Sequence, residues 1–278
     1  MMKKIIFGAA LMVAGGLFAA TFDYSTLISH RGESKDAPEN TMPAFKLAVE
    51  RGFGFECDVY LSADKRCFTF HDKNLTRTSG GKNKKKCSEA NWETEISTLD
   101  VGNWGKWKNS KYKGTSPALL EDVLKLARNG RKIYIEIKAN TDIVPYVKEL
   151  LAKQNNATPE NALFICFSKE VCAELKKQIP EYKTYWLTSS YVGKDKNRRP
   201  ITTAEVLKVL KETKSDGVDI GFHPEVITKE FVKEIRDAGF ELHVWTINKY
   251  ELAKIAFENG AQTVTTDCSE KLYKASKK

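Results

Sequence analysis

Beyond residue 20 this chain of 278 residues has no apolar run near the roughly 20 residues that a membrane-spanning helix requires. It lacks paired metal-binding cysteines as well. Cys57, Cys67, Cys87, Cys166, Cys172 and Cys268 include no C-x-x-C spacing and no neighbouring histidine pair, so a zinc site is not expected. Six thiols allow many pairings and the sequence selects none; they are expected to act as small buried apolar residues, with room for one or two bridges. No zinc finger, aromatic stacking platform or basic helix is present, and nucleic acid is therefore not an expected partner. The first predicted strand is followed by His30-Arg31-Gly32 instead of a glycine-rich phosphate loop, which disfavours an open doubly wound sheet.

The sequence does have an atypical N-terminus. Lys3 and Lys4 precede the apolar run Ile5 to Ala20, which ends in small residues before Thr21. Residues 1–20 are predicted to be a secretory signal, with a retained anchor as the alternative; no cysteine near the cleavage region offers a lipid attachment point. The mature protein is expected to be exported, periplasmic or secreted, with no stable membrane insertion. At 29% charged and 41% hydrophobic the chain is globular in composition. Its net charge of +9 is spread along the chain, and the densest run, Lys82 to Lys86, is expected to be a solvated loop.

From residue 21 onward, short runs of branched and aromatic residues alternate with amphipathic stretches. Strands are predicted over 27–30, 53–58, 132–138, 162–167, 183–188, 217–220, 241–246 and 262–266. Helices are predicted over 41–51, 117–129, 142–155, 169–179, 203–214, 228–238 and 249–259, with a short one after Asp267. Ser116 before Pro117 has the pattern of an N-cap, and Thr202 with Glu205 that of a capping box. Eight strand-then-helix units imply one (β/α)8 TIM-barrel domain over residues 21–278, whose chemistry belongs at the C-terminal strand ends.

One connection is far longer than the rest, an insertion at about 59–116. Residues 59–71 read as a β-hairpin turning over Ala63 to Arg66, with position 58 opposite position 71. That pairing returns His71 to the rim beside Asp58. The remainder, with Trp92, Trp104 and Trp107, is expected to form a cap packed over the mouth.

The ionisable residues at the predicted strand ends are His30, Arg31, Glu56, Asp58, Glu136 and Lys138, joined by His71. Strand positions two apart share a face, so Glu56 and Asp58 point together, as do Glu136 and Lys138. Three carboxylates converging in a buried mouth repel unless a cation lies among them, and an all-oxygen set selects Ca2+ or Mg2+. An internal ion pair is the plainer reading of Glu136 with Lys138 alone. Two histidines flanking a cation, with an arginine and a lysine near, suit a phosphodiester: one imidazole takes a proton from the nucleophile and the other gives one to the leaving alkoxide. His223 and His243 receive no role.

At these residues the sequence resembles the glycerophosphodiester phosphodiesterases. The resemblance rests on His30-Arg31-Gly32, Pro38-Glu39-Asn40-Thr41, Glu56-Cys57-Asp58-Val59, His71-Asp72 with Leu75 and Arg77-Thr78, Glu136-Ile137-Lys138, Val244 to Asn248 and Thr266-Asp267. It implies a metal-dependent barrel hydrolysing small-molecule diesters such as glycerophosphocholine to glycerol 3-phosphate and an alcohol. His30 and His71 become the acid and base, Glu56, Asp58 and Glu136 the metal ligands, Arg31 and Lys138 the phosphate contacts, and Trp245 a pocket wall. In such enzymes the glycerol 2-hydroxyl attacks phosphorus and water opens the resulting cyclic phosphate. Asn40 and Thr41 are expected to brace and cap the first helix. Ser116-Pro117-Ala118 and Thr266-Asp267-Cys268 depart from the family pattern, and Cys57 replaces an aliphatic residue. Alternatives are a sphingomyelinase D-like or phosphoinositide-cleaving lipase, and a non-catalytic binder of anionic head groups.

Overall fold

A computed structural model describes residues 22–278; the predicted signal segment 1–20 lies outside them. The strands are β1 (Leu27–Ser29), β2 (Gly54–Leu61), β3 (Cys67–Thr69), β4 (Ile133–Ile137), β5 (Ala162–Cys166), β6 (Lys183–Thr188), β7 (Tyr191–Val192), β8 (Arg199–Pro200), β9 (Gly217–Gly221), β10 (Glu241–Trp245) and β11 (Val264–Thr266). The helices are α1 (Met42–Glu50), α2 (Leu120–Leu124), α3 (Val144–Ala152), α4 (Lys169–Gln178), α5 (Thr203–Thr213), α6 (Lys229–Asp237), α7 (Tyr250–Glu258) and α8 (Ser269–Ala275). Strands β1, β2, β4, β5, β6, β9, β10 and β11 are parallel, and β1 pairs with both β2 and β11, so the sheet closes on itself. This is the expected eight-stranded TIM barrel.

Period-two alternation divides each barrel strand between two environments. On β2, Phe55, Cys57 and Val59 face outward into the apolar layer beneath the helices, which leaves Glu56 and Asp58 inside. On β4, Ile133, Ile135 and Ile137 face outward, leaving Tyr134 and Glu136 inside. The barrel interior is filled by Ile28, Leu163, Ile165, Leu187 and two tyrosines, Tyr134 and Tyr185. Near the N-terminal strand ends, the Tyr134 hydroxyl lies 3.0 Å from both His243 Nδ1 and Thr263 Oγ1. His243 stacks on Tyr185 at 4.4 Å, and the Tyr185 hydroxyl and Lys183 Nζ both bond Glu241. His243 thus belongs to a packed polar plug.

All six cysteines are buried and unbridged, with Cys166 Sγ and Cys172 Sγ 2.7 Å apart. Among the described residues no helix is long and apolar enough to cross a membrane. The Thr202–Glu205 capping box forms as expected.

Three local expectations are corrected. The helix predicted over 117–129 shrinks to α2, and Ser116 caps nothing. Thr69 N–H donates to the Ala118 carbonyl at 2.8 Å and Leu119 bridges Phe68, so pairing with the hairpin outcompetes the local helix signal. The hairpin register is Val59 with Thr69 and Leu61 with Cys67, which sets position 58 opposite 70, not 71. Its loop has three residues, Ala63, Asp64 and Lys65, closed by a Ser62–Arg66 bond with Lys65 at φ 64°. An odd-length loop ending in a left-handed residue is a common hairpin form, and it shifts the pairing by one. Finally, residues 73–116 do not roof the mouth. Leu75, Trp92, Ile96 and Val101 build a second small core against Phe68 and Phe70 of the hairpin. Lys106 and Tyr112 bond carbonyls of Lys35 and Asp36 in the β1–α1 loop. The insertion therefore buttresses one flank of the mouth. The β7–β8 ribbon was not expected from the sequence.

Candidate active site

The C-terminal strand ends surround a cavity of about 290 Å³ walled by His30, Arg31, Glu56, His71, Glu136, Lys138 and Trp245 among others. Seven of the eight residues singled out in the sequence are in its wall. The eighth, Asp58, is fully buried just behind it.

Local backbone geometry sets each group in place. After β1 the chain turns through two left-handed residues, Arg31 (φ 57°) and Gly32 (φ 75°). A side chain at Gly32 would strike the Ala44 backbone at 2.6 Å, so only glycine lets this loop lie against α1. The turn aims the Arg31 N–H at Glu56 Oε2, 2.8 Å away. The hairpin, closed by the Phe70 N–H to Asp58 carbonyl bond at 3.0 Å, delivers His71 to the opposite side.

Glu56, Asp58 and Glu136 each offer a carboxylate oxygen, all within 4.8 Å of one another. Glu56 Oε1, Asp58 Oδ1 and Glu136 Oε1 are buried and accept no hydrogen bond. Lys138 Nζ stands 2.9 Å from Glu136 Oε1 and 3.5 Å from Asp58 Oδ1, contributing charge without hydrogen-bond geometry. Burial, with Asp58 close by, pushes the Glu136 carboxyl up to about 8. Burial and the same neighbour push Glu56 up as well. Asp58 is equally buried, yet Arg31 and Lys138 hold it below the usual carboxylate value. Three crowded carboxylates whose free oxygens accept no hydrogen bond and share a single lysine for charge fit a hard divalent cation.

Each histidine is fixed by a carboxylate on Nδ1. His30 Nδ1 is 2.6 Å from Asp267 Oδ1, and its Nε2 lies 4.0 Å from Glu56 Oε2. His71 Nδ1 is 2.7 Å from Asp72 Oδ1. Asp72 also accepts from Arg77 Nε at 2.7 Å, and although burial opposes it, Arg77 and His71 draw its carboxyl down to about 2. Burial lowers the His71 imidazole below its ordinary value, against the raising pull of Asp58 and Asp72. With Nδ1 committed on both rings, Nε2 is the nitrogen each leaves for chemistry.

The supporting shell is where sequence reasoning fell short. Asp72 and Asp267 belonged to quoted motifs but carried no role; Asp72, adjacent to His71, was open to discovery, whereas Asp267 meets His30 across 237 residues. Asn40 was expected to brace α1. It instead holds Asp58, donating from Nδ2 to Oδ2 at 2.7 Å and accepting the Asp58 N–H at 3.0 Å. Thr41 does cap α1, accepting the Ala44 N–H at 3.4 Å. Arg31 is less free than expected, bound to Glu39 at 3.0 Å and 3.4 Å from Asp58. Glu39 also accepts two bonds from Arg77, tying the β1–α1 loop to the insertion.

A closed parallel barrel whose C-terminal strand ends gather three buried carboxylates and two carboxylate-oriented imidazoles around one cavity places the chain in the class of TIM-barrel hydrolases. More specifically, residues 30–271 match the model of the glycerophosphoryl diester phosphodiesterase family, and the chain belongs to that family. A glycerophosphodiester phosphodiesterase of Caldanaerobacter subterraneus subsp. tengcongensis is 29% identical over 88% of this chain and 95% of its own length. One from Bacillus subtilis is 26% identical over 90% of this chain and 86% of its own. A phosphodiesterase of Oleispira antarctica, solved with the product sn-glycerol-3-phosphate, superposes with a TM-score of 0.78 at 24% identity, covering 92% of this chain and 98% of the other, which shows the shared fold.

Proposed function

We propose that this protein hydrolyses glycerophosphodiesters, such as glycerophosphocholine, to sn-glycerol 3-phosphate and an alcohol. The observation that carries the reading is the pair of imidazoles, each oriented through Nδ1, on the wall of a cavity whose acidic trio leaves three oxygens unsatisfied. Family membership and the relatives' activity support the substrate class.

Glu56, Asp58 and Glu136 would hold one divalent ion, Ca2+ or Mg2+. When bound, it supplies positive charge against the non-bridging phosphate oxygens. Arg31 and Lys138 add charge from the protein, and Trp245 forms an apolar wall for the substrate. One imidazole accepts the proton of the glycerol 2-hydroxyl as that oxygen bonds to phosphorus, while the other protonates the departing alkoxide. The products of this step are the free alcohol and a cyclic phosphate. In the second step the roles reverse: water is deprotonated, attacks phosphorus, and the 2-oxygen leaves with a proton. Asp267 and Asp72 hold the rings in register and stabilise the imidazolium that each half-reaction creates.

The test is a panel of glycerophosphodiesters assayed after chelation with EDTA and again with Ca2+ or Mg2+ restored, following sn-glycerol 3-phosphate. Metal-restored release of that product is expected. Activity indifferent to chelation contradicts the trio's role, and cyclic phosphate from an intact lipid as end product points to the lipase-type alternative. The N-terminal signal pattern supports export. Sequencing the N-terminus of the natively produced protein tests it, a start at or near Thr21 being expected.

A further inference from the structure

Not all the unsatisfied groups at the mouth belong to the acidic trio. Among the described residues, Asp219 Oδ1, Asp219 Oδ2 and Thr265 Oγ1 are also buried without a hydrogen-bond partner, and both residues line the same cavity. Asp219 is an inward residue of β9, since its neighbours Val218 and Ile220 pack outward beneath the helices. Thr265 is an inward residue of β11, next to outward-facing Val264. Each lies below the level of the strand ends, deeper than the residues that would meet phosphate.

The neighbouring side chains offer these groups no donor or acceptor. Gly221, two residues on and on the same face of β9, has no side chain to cover Asp219 from the mouth, and the Trp245 ring lies within ordinary contact of where a Cβ would stand, at 3.7 Å. Trp245 Nε1 donates to the Asp219 main-chain carbonyl at 3.1 Å, so the one indole donor is already committed and cannot serve the carboxyl. Ile165 and Leu187 offer none. A buried polar group with no protein partner, facing a cavity, is accounted for when a ligand completes it.

We propose that Asp219 and Thr265 form a polyol subsite, hydrogen-bonding the distal hydroxyl of the glycerol moiety while its phosphodiester is held at the rim. This deepens the glycerophosphodiesterase reading and rests on it. A primary hydroxyl can donate to one of these groups and accept from the other. Burial, helped by Glu136, pushes the Asp219 carboxyl well above its ordinary value, so it meets a neutral hydroxyl better than an ammonium. A cavity of about 290 Å³ holds a group of glycerol-phosphate size. The alcohol on the other ester then points outward, past the half-exposed Phe167 that meets Trp245 edge-on at 5.8 Å. Selectivity for the glycerol end and tolerance of the alcohol end follow.

The experiment compares binding of sn-glycerol 3-phosphate with that of propane-1,2-diol 1-phosphate, which keeps the 2-hydroxyl but lacks the distal one, by titration calorimetry on the metal-loaded protein. The corresponding choline diesters are assayed in parallel. The wild type is expected to favour the glycerol compound by about 10- to 100-fold. Asp219→Leu should bring the ratio near unity by weakening only that compound. Asp219→Asn, whose amide both donates and accepts, should keep most of the ratio, and the isosteric Thr265→Val should reduce it in part. The propanediol compound reports in each variant that the rest of the site is formed; should Asp219→Leu not fold, Thr265→Val carries the test. Equal binding of the two compounds by wild type, binding of neither, an unchanged ratio in the folded Leu or Val variants, or loss in Asp219→Asn as deep as in Asp219→Leu would each overturn the subsite. Discrimination in binding without any turnover would instead overturn the assigned activity and leave the subsite standing.

Discussion

The two ends of this barrel contain nearly the same chemical groups and use them in opposite ways. At the N-terminal end a histidine, a carboxylate, a lysine and two tyrosines nearly saturate one another: His243, Glu241, Lys183, Tyr134 and Tyr185 are linked by hydrogen bonds and stacking, and the one nitrogen left without a hydrogen bond, His243 Nε2, lies 3.5 Å from Glu241 Oε2. At the C-terminal end two histidines, three carboxylates, an arginine and a lysine leave oxygens unpaired and carboxyls displaced from their ordinary pKa. A polar network that is complete contributes stability, whereas one left incomplete costs stability and is kept for what it binds. The contrast separates the two carboxylate-histidine sets by role when neither sequence nor burial alone does.

That contrast can be broken at either end. Removing the divalent ion by chelation should have the largest effect, reducing hydrolysis to background and restoring it on reloading. His30→Ala or His71→Ala should lower kcat by about 10²- to 10⁴-fold with the melting temperature nearly unchanged; a comparable fall in melting temperature would show that the mouth is structural after all. Asn40→Ala removes both bonds that hold Asp58 and should weaken the ion's binding by about 10- to 100-fold, read by calorimetry. At the other end, Tyr134→Phe should leave kcat and KM intact and cost about 1 to 2 kcal/mol of stability, because His243 and Thr263 lose a buried partner. That corresponds to a melting temperature lower by about 2 to 8 °C.

The acidic trio adds a smaller, signed prediction. Without an ion, Glu136 holds its proton up to about pH 8 through burial and the nearby Asp58, well above the unfolded carboxyl value. A divalent ion must displace that proton, so its apparent affinity should climb as pH rises from 6 toward 8 and level off above, with proton release seen as a buffer-dependent heat. The same raised carboxyl destabilises the ion-free fold increasingly as pH passes from about 4.5 to 8, so the stabilisation given by the ion should grow over that interval. Affinity independent of pH from 6 to 9 would remove Glu136 from the ligand set.

The barrel was legible because its signal is repeated eight times and each unit is local: outward Val, Ile and Phe alternate with inward residues, and caps such as Thr202 with Glu205 mark the helices. The candidate site was legible in part because strand parity alone puts Glu56 beside Asp58 and sets Glu136 on an inward face. What was not legible depends on contacts distant in sequence. Asp267 reaches His30 only when β11 lies beside β1, Asn40 reaches Asp58 only through the β1–α1 loop, and helix α2 loses its first turn to a bridge with the hairpin. The pairing of Thr265 and Asp219 with one cavity likewise has no signature in either strand, since an isolated Asp inside a barrel strand and a Thr near a strand end are each unremarkable by themselves.

The three-residue hairpin loop has an implication for which lengths of chain can vary. One residue added among Ala63, Asp64 and Lys65 would slip the returning strand by a position and carry the second imidazole to the other side of the ribbon. The exposed turn at 80–84, by contrast, walls no part of the cavity and can lengthen or shorten without displacing that ring, whereas Arg77 and the small core around Trp92 must stay to hold Asp72 and the hairpin. Divergent members of the lineage are thus free to remodel that turn through insertions and deletions, provided the short loop ahead of it keeps its count.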